Sequence, residues 1–459
     1  MIRLFRVFIP ASVVALLISE ILLVLACYTL VLFLLGIDPV FYLFDENNYW
    51  KVLVLTGMII LGLYFQDLYA NVRVSSTILL TQQVCLAVGV ALLLAAFVGY
   101  VETELLLGRW LMMLGSLGVI IVIPLWRVFF WKYVIAGFRS ERVLLLGNSS
   151  ILAEVISYLL RRPEFGYAFL GYLSEDLPGD FPVPCLGVIS EVRQICEQYR
   201  PTRIVVGMAE RRNRLPIQEL LEIRFGGIII EDVADTYEVA MRRVCSRKIQ
   251  PSQLVFSSDL GPRRHAITLQ NFYSLIIGAV GLIIFSPLML LAAIAVKLTS
   301  AGPVLYRQRR VGKNGRNFTV YKFRSMYADA EAHTGAVWAS KDDPRITPVG
   351  RWLRKLRLDE LPQFWNVVVG DMAIVGPRPE RPEFVDMLAQ QIPYYRQRLA
   401  VKPGITGWAQ INHKYGDTDL DAMIKLEFDL YYIKHLAPAL DFYIIFHTIK
   451  VMLLGSGAQ

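Results

Sequence analysis

Long apolar runs separated by short polar loops fill the first part of the chain. They cover residues 8–37, 52–65, 78–99 and 110–130, and most come near the roughly 20 residues that a helix needs to cross a bilayer. The second is the shortest. The first run has no small-residue cleavage site and three more follow it, which marks it as a retained helix and not a signal peptide. Arg3 and Arg6 precede it, and Arg127, Lys132, Arg139 and Arg142 surround the end of the fourth run, whereas the first and third loops carry Asp38, Asp45, Glu46, Glu102 and Glu104. Basic residues are retained on the cytoplasmic side, so both ends of this bundle are expected there. Glu20, inside the first run, is expected to face inward or snorkel to the interface, with a polar path through the membrane as the lesser alternative.

From residue 141 the pattern changes to short β-rich apolar runs separated by helical ones: 142–147, 151–160, 168–173, 191–199 and 204–207, with a further strand at 228–233. Strand alternating with helix predicts a parallel, Rossmann-like α/β domain over residues 139–250, after a four-helix transmembrane bundle over residues 1–138. Val143 to Gly147 running into a helix near Ser150 is similar to the first turn of a nucleotide fold, and Glu175 or Asp176 falls where a ribose-binding acid would. The turn reads Gly147-Asn148-Ser149-Ser150, however, without the second glycine that lets a pyrophosphate approach the backbone, so a structural or regulatory module is the stronger reading. A stretch with linker texture runs over 242–264, with Pro251 and Gly261-Pro262, and the boundary is drawn with 251–270 as the linker.

A fifth apolar segment, 272–299, holds Ser286-Pro287 near its centre. Proline removes one backbone hydrogen bond and clashes with the carbonyl four residues back, here Ile283, so a sharp bend is expected, and Ser286 is placed to rebond the freed carbonyl. If the segment crossed, Arg307, Arg309, Arg310, Lys313, Arg316, Lys322 and Arg324 would all lie outside the cell. A helix-break-helix that enters one leaflet and returns avoids that arrangement.

Composition and charge agree with a membrane protein that meets anions. The chain of 459 residues is 55% hydrophobic, with mean hydropathy +0.46, which excludes disordered and collagen-like architectures. Its net charge of +8 is unevenly placed: 22 basic and 22 acidic residues lie up to Gln250, and 25 basic against 17 acidic residues follow. Five scattered cysteines and five scattered histidines give neither a disulfide framework nor a zinc site, so a metal here would be held by carboxylates.

Chemistry concentrates in the last segment, in Tyr321-Lys-Phe-Arg-Ser-Met326, Leu358-Asp-Glu-Leu-Pro-Gln363, Val375-Gly-Pro-Arg-Pro-Glu380 and Lys402-Pro-Gly-Ile-Thr-Gly-Trp-Ala-Gln410. Pro362 fits only the first turn of a helix, which puts Asp359 and Glu360 at a helix N-terminus. One carboxylate can attack phosphorus while its neighbour holds Mg²⁺. The plainer alternative is an Asp359 that caps the helix and pairs with Lys355. Against it stand Lys322 and Arg324, expected on one strand face, and Arg378, fixed between Pro377 and Pro379 as a phosphate clamp. Asp429, beside Tyr431 and Tyr432, is a candidate second carboxylate near metal or phosphate, and His413 is expected in an exposed loop.

Together these motifs resemble the bacterial sugar transferase family, the monotopic phosphoglycosyl transferases, in the large form that initiates exopolysaccharide synthesis. The resemblance covers residue 272 to the C-terminus and implies three parts: a membrane α-helical N-terminal bundle, a Rossmann-like α/β domain, and a monotopic α+β catalytic domain, residues 271–459, with a re-entrant helix-break-helix at Ser286-Pro287. It implies that Asp359 attacks the β-phosphorus of a UDP-sugar, releases UMP and carries the phosphosugar to polyprenyl phosphate. Glu360 would bind Mg²⁺, and Lys322, Arg324 and Arg378 would hold phosphates. It further implies a bacterial inner-membrane enzyme with its catalytic domain on the cytoplasmic face, no nucleic-acid partner, and a homodimer as an assembly to test. Leu269-Gln-Asn-Phe272 departs from the family in lacking basic and acidic residues. Two other classes explain less. A membrane-bound nucleotide-sugar dehydratase needs an intact Gly-rich turn and a Tyr-x-x-x-Lys pair, neither of which occurs after Gln250; a scaffold that binds anionic lipid leaves Asp359-Glu360 without a role. No residue names the sugar.

Overall fold

A computed structural model describes residues 2–4, 7–70, 72, 74, 76–101, 107–135, 141–175, 181–208, 215–248, 261, 264–327, 330, 343–413 and 418–454. The chain divides into two compact units, residues 8–236 and 237–459, with a few N-terminal residues assigned to each.

The first unit begins with helices α1 (Ala11–Leu34), α2 (Tyr49–Phe65), α3 (Thr77–Val101) and α4 (Arg109–Phe129), the last continued by a π-turn, Phe130–Val134. Three of these regions, Ala11–Leu34, Thr77–Tyr100 and Arg109–Val134, are long and apolar enough to cross a membrane, while α2 has 17 residues. Tyr28, Leu32, Ile59, Leu63, Val84, Val88, Val119 and Ile123 form their shared core, and Phe33, Leu93, Phe97 and Leu125 project outward. A Cβ at Gly115 would lie 2.3 Å from the Tyr28 ring, so glycine there lets α1 and α4 close up. Glu20 faces inward and is fully buried. Arg127 meets it at 2.6 Å through Nε and at 2.9 Å through Nη2, Tyr69 OH donates to it at 2.5 Å, and Arg127 Nη1 donates to Leu68 O at 2.7 Å. Glu20 is thus closed in by partners and opens no polar path. Arg127, counted above among the loop charges, is a core residue.

The α/β region follows, with β1 (Glu141–Leu146), β2 (Tyr167–Leu173), β3 (Cys185–Gly187), β4 (Arg203–Val206) and β5 (Ile229–Asp232) in one fully parallel sheet of order β3-β2-β1-β4-β5. Helices α5 (Ser150–Leu160), α6 (Val192–Tyr199), α7 (Ile217–Phe225) and α8 (Val233–Met241) connect the strands or follow them. Leu144, Leu146, Leu173, Ile204 and Val206 supply its core. Gly147 has φ +97, and a Cβ there would lie 2.8 Å from Met208. Ser149 Oγ accepts the Leu152 N–H at 3.4 Å and caps α5. Packing and capping therefore account for this turn without a nucleotide. Glu175 is described, whereas Asp176, the loop acids Glu102 and Glu104, and Arg139 lie outside the described residues.

The second unit holds the 36-residue helix α9 (Arg264–Thr299), an antiparallel hairpin of β6 (Leu305–Val311) and β7 (Asn317–Phe323), and helices α10 (Pro348–Lys355) and α11 (Gln363–Val369). Then come β8 (Ala373–Val375), α12 (Pro382–Gln391), β9 (Gly404–Thr406), α13 (Trp408–Asn412), α14 (Asp419–His435) and α15 (Pro438–Leu454), with β8 and β9 parallel. Val375, Trp408, Leu426, Tyr431, Tyr432, Leu440 and Ile444 are at its centre. Two expectations are corrected here. The last part of the expected linker is helical, since α9 starts at Arg264; residues 251–260, 262 and 263 lie outside the described residues. The expected break is also absent, because α9 runs uninterrupted through Pro287. Ser286 Oγ donates to Ile283 O at 2.8 Å, giving a partner to the carbonyl that proline leaves without an N–H. One face of α9 is buried through Gln270, Ser274, Gly278, Gly281, Ala292 and Val296, and Phe272, Ile283, Ile284, Leu290, Leu291 and Leu298 are exposed on the others.

The Glu20–Arg127 pair makes a stability prediction. Glu20→Ala leaves a buried guanidinium unpaired and should destabilise the bundle by about 3–5 kcal/mol, whereas Glu20→Leu combined with Arg127→Met should recover most of that loss. Thermal unfolding in detergent distinguishes the two variants.

Candidate active site

The carboxylate pair is held by a short, tightly built approach. Thr347 Oγ1 accepts the Gly350 N–H at 2.9 Å and caps α10, with Pro348 at its first position. Gly350 presses on the segment after β7, since a Cβ there would lie 1.9 Å from Ser325 O. After α10 the chain turns at Arg357, whose φ of 54 is left-handed, into a 3-10 turn, Leu358–Glu360, and then through Pro362 into α11. Asn366 on α11 accepts the Tyr321 N–H at 3.2 Å and donates to Thr319 O at 2.7 Å, which fixes β7 beside this turn. The pair was expected at a helix N-terminus, and it lies there, in the 3-10 turn just ahead of α11, with Pro362 at the cap position of that helix.

Asp359 and Glu360 are both buried but their surroundings differ. Glu360 Oε1 accepts from Lys322 Nζ at 3.0 Å and Arg378 Nη2 at 2.7 Å, and Arg357 Nη1 lies 3.8 Å from Oε2. Asp359 has no hydrogen bond or ion pair among the described residues; it neither caps a helix nor pairs with Lys355, whose Nζ lies over the Trp352 ring at 5.5 Å. Burial and the neighbouring Glu360 push Asp359 up to about 6, against the pull of Lys322, Arg354 and Arg378. Burial also works to raise Glu360, but Arg378, Lys322 and Arg357 overcome it and hold that carboxyl well below the usual range.

Arg378 sits in a loop whose backbone is anchored residue by residue. Gln270 Nε2 and Tyr432 OH each donate to Val375 O at 3.2 Å, Gly376 N donates to Thr406 O at 2.9 Å, and Gly404 N donates to Pro377 O at 3.0 Å. Arg398 Nη2 donates to Arg378 O at 3.1 Å and Arg310 Nη1 to Pro379 O at 3.0 Å. The glycines of Lys402-Pro-Gly-Ile-Thr-Gly-Trp let the backbones cross: a Cβ at Gly404 would lie 2.1 Å from Gly376 N, and one at Gly407 2.2 Å from Gly376 O.

Lys322, Arg378 and the carboxylate pair are thus brought together, and two other expected residues are not. Arg324 directly follows β7, and its guanidinium does not join Glu360: it holds Ser300 O and Ser300 Oγ at 2.7 Å and Ala301 O at 2.9 Å, at the end of α9. Asp429 is buried on α14 and pairs with Arg398 at 2.8 Å, so it is not a second carboxylate at the pair. Among the described residues no cluster of three metal-binding side chains occurs. His413 is partly buried and lies 3.0 Å from Asp421, a correction to its expected exposure.

The family model for bacterial sugar transferases matches residues 265–455, the segment that builds this site. Over 176 residues the chain is 52% identical to the UDP-N-acetylgalactosamine-undecaprenyl-phosphate N-acetylgalactosaminephosphotransferase of Aeromonas hydrophila, covering 38% of this chain and 41% of that one. It is 33% identical over 338 residues to the UDP-glucose:undecaprenyl-phosphate glucose-1-phosphate transferase of Klebsiella pneumoniae, covering 72% of each chain. To the protein of the same name from Xanthomonas campestris pv. campestris it is 35% identical over 333 residues, covering 70% of this chain and 68% of that one. The chain belongs to the bacterial sugar transferase family.

In this sugar transferase, two residues of the site had escaped the sequence reading. Arg357 was one basic residue among several near the pair, and only its left-handed turn brings it to Glu360. Arg398 lies in Tyr395-Arg-Gln-Arg398, where nothing local distinguishes the buried arginine from the exposed Arg396. The electrostatics make a pH prediction. Attack on phosphorus needs an ionised carboxylate, so if Asp359 is the group that attacks, kcat/KM should fall as pH drops through about 6. Lys322 and Arg378 lower the Asp359 pKa, so Lys322→Met should move that acid limb to higher pH, measurable in the pH profile of nucleotide release.

Proposed function

We propose that this phosphoglycosyl transferase moves a sugar 1-phosphate from a UDP-sugar to polyprenyl phosphate, with Asp359 as nucleophile. The observation that carries this reading is the asymmetry of the pair: Lys322 and Arg378 both hold Oε1 of Glu360, while Asp359 beside it is desolvated and has no hydrogen-bond partner among the described residues. An Asp359 carboxylate oxygen attacks the β-phosphorus, the bond from that phosphorus to the bridging oxygen breaks, and UMP leaves with the electron pair. A phosphate oxygen of polyprenyl phosphate then attacks the same phosphorus, the aspartyl–phosphorus bond breaks, and Asp359 returns as a carboxylate beside polyprenyl-diphosphate-sugar. Lys322 and Arg378 are placed to meet phosphate oxygens as charge builds on them. Among the described residues Glu360 Oε2 accepts no hydrogen bond, with Arg357 Nη1 3.8 Å away, and it would serve Mg²⁺, which binds through one or two carboxylates plus substrate phosphates. Such an ion would neutralise diphosphate oxygens.

The same proposal includes a monotopic catalytic unit on the cytoplasmic face of a bacterial inner membrane. Supporting it, both ends of α9 pack on one body: Gln270 donates to Val375 O, and Ala292 and Val296 pack with Phe323 and Leu353. Between them Phe285 stacks on Phe364 at 5.9 Å, and the opposite face is exposed and apolar, which suits a helix that stays with one leaflet. The strand order β3-β2-β1-β4-β5 is compatible with a Rossmann-like module in a structural role.

Asp359→Asn, purified in detergent, should release UMP at less than about a thousandth of the wild-type rate and form no phosphosugar adduct by intact-protein mass spectrometry. Turnover near wild type would refute the nucleophile assignment. EDTA should abolish release and Mg²⁺ restore it. For topology, Lys313→Cys in a background without Cys85 and Cys185, the exposed cysteines, should label from the cytoplasmic side only; labelling from outside refutes the one-leaflet arrangement.

A further inference from the structure

Of the donors that hold the Arg378 loop, one is a buried cation with no contact to either carboxylate of the pair. Arg398 stands in a 3-10 turn, Tyr395–Ala400, and is 6% exposed. Its Nε and Nη2 meet Asp429 Oδ2 at 3.0 and 2.8 Å, Nη1 donates to Tyr395 OH at 2.6 Å, and Nη2 also donates to the Arg378 carbonyl at 3.1 Å. A buried arginine–aspartate pair adds little net stability over well-packed apolar residues. What this one adds is direction. The ring of Pro377 fixes φ on one side of Arg378, the ring of Pro379 fixes it on the other, and Gly404 N holds the Pro377 carbonyl. The contact from Arg398 fixes the remaining peptide plane, so Arg378 meets Glu360 Oε1 at 2.7 Å with only side-chain torsions left free.

We infer that Arg398 is a positioning residue for phosphate transfer: by holding the Arg378 carbonyl it sets the direction from which the Arg378 guanidinium reaches Glu360 and the substrate phosphate, while Asp429 and Tyr395 hold Arg398 itself. This gives Asp429 a place in the reaction without contact to metal or phosphate. The inference rests on the transferase reading of the same site.

The test is a double-mutant cycle on UMP release by the full chain in detergent, with UDP-glucose and UDP-N-acetylgalactosamine as donors and a polyprenyl phosphate acceptor. A misplacement of about 1 Å costs on the order of 10²-fold, so Arg398→Lys should lower kcat/KM by roughly 30- to 100-fold. In an Arg378→Ala background the same change should cost less than about 3-fold, because the residue it acts through is gone. Asp429→Asn keeps an acceptor for Arg398 and should show a smaller loss with the same dependence on Arg378; it replaces Arg398→Lys in the cycle if that variant does not fold. Losses that multiply in the double variant overturn the inference, as does wild-type turnover by both Arg398→Lys and Asp429→Asn. Absence of UMP release by the wild type with these donors and with every other UDP-sugar of a panel that includes UDP-galactose would overturn the transferase reading instead.

Discussion

Two adjacent carboxylates in one buried turn repel each other, and the catalytic unit is arranged around how that repulsion is relieved. Compensation goes to one partner. Lys322 from the hairpin, Arg378 from the proline-flanked loop and Arg357 from the turn itself all approach Glu360, which stays ionised despite burial. Asp359 gets the field of those charges but none of their hydrogen bonds, so its proton affinity rises and its lone pairs remain unengaged. Had the cations been shared evenly, both groups would be stable anions and neither would be a reactive one.

That asymmetry requires three separate chain segments to arrive at one oxygen atom. Asn366 sets the distance between hairpin and turn by pairing with the backbone at Thr319 and Tyr321. Gly376, Gly404 and Gly407 let two loops cross at a separation that no other residue allows, which brings the Arg378 loop under the control of Thr406 and Gly404. A large share of the basic surplus after Gln250 is then used inside the fold. Arg324, Arg398 and Arg310 hold carbonyls at Ser300, Arg378 and Pro379, so the charge excess overstates the cations free to meet substrate.

The sequence made the parts of the site visible because their chemistry is local: Asp359 beside Glu360, and Arg378 locked between prolines, are unusual strings wherever they fold. The four bundle helices and the parallel α/β region were equally legible, since hydrophobic period and length define both. What was not legible depended on where a strand stops or what a buried group finds. Arg324 was placed with Lys322 by alternation, and the carbonyls of Ser300 and Ala301, distant in sequence, draw its guanidinium elsewhere. Asp429 was placed at the metal because it is an acid near aromatic residues, whereas its partner, Arg398, lies 31 positions away and carries no local mark. Glu20 and Arg127 likewise read as an isolated acid and a loop cation until the bundle brings them together.

The neutral start of α9, first noted as a departure at Leu269-Gln-Asn-Phe272, has a physical role in this fold. Gln270 is buried and donates to Asp441 Oδ2 at 2.7 Å and to Val375 O at 3.2 Å, while Tyr432 OH donates to Asp441 Oδ1 at 2.8 Å and to the same Val375 carbonyl at 3.2 Å. Among the described residues Asp441 therefore has only neutral donors and no cation, and burial pushes it up to about 6. A carboxylate in place of Gln270 would face Asp441 as a second buried anion. An amide, satisfied by several acceptors at once, instead joins the membrane helix, α15 and the last residue of β8, one position before the loop that carries Arg378. The long apolar helix α9 is in this way fastened to the loop that meets Glu360 by buried hydrogen bonds that salt screens only weakly.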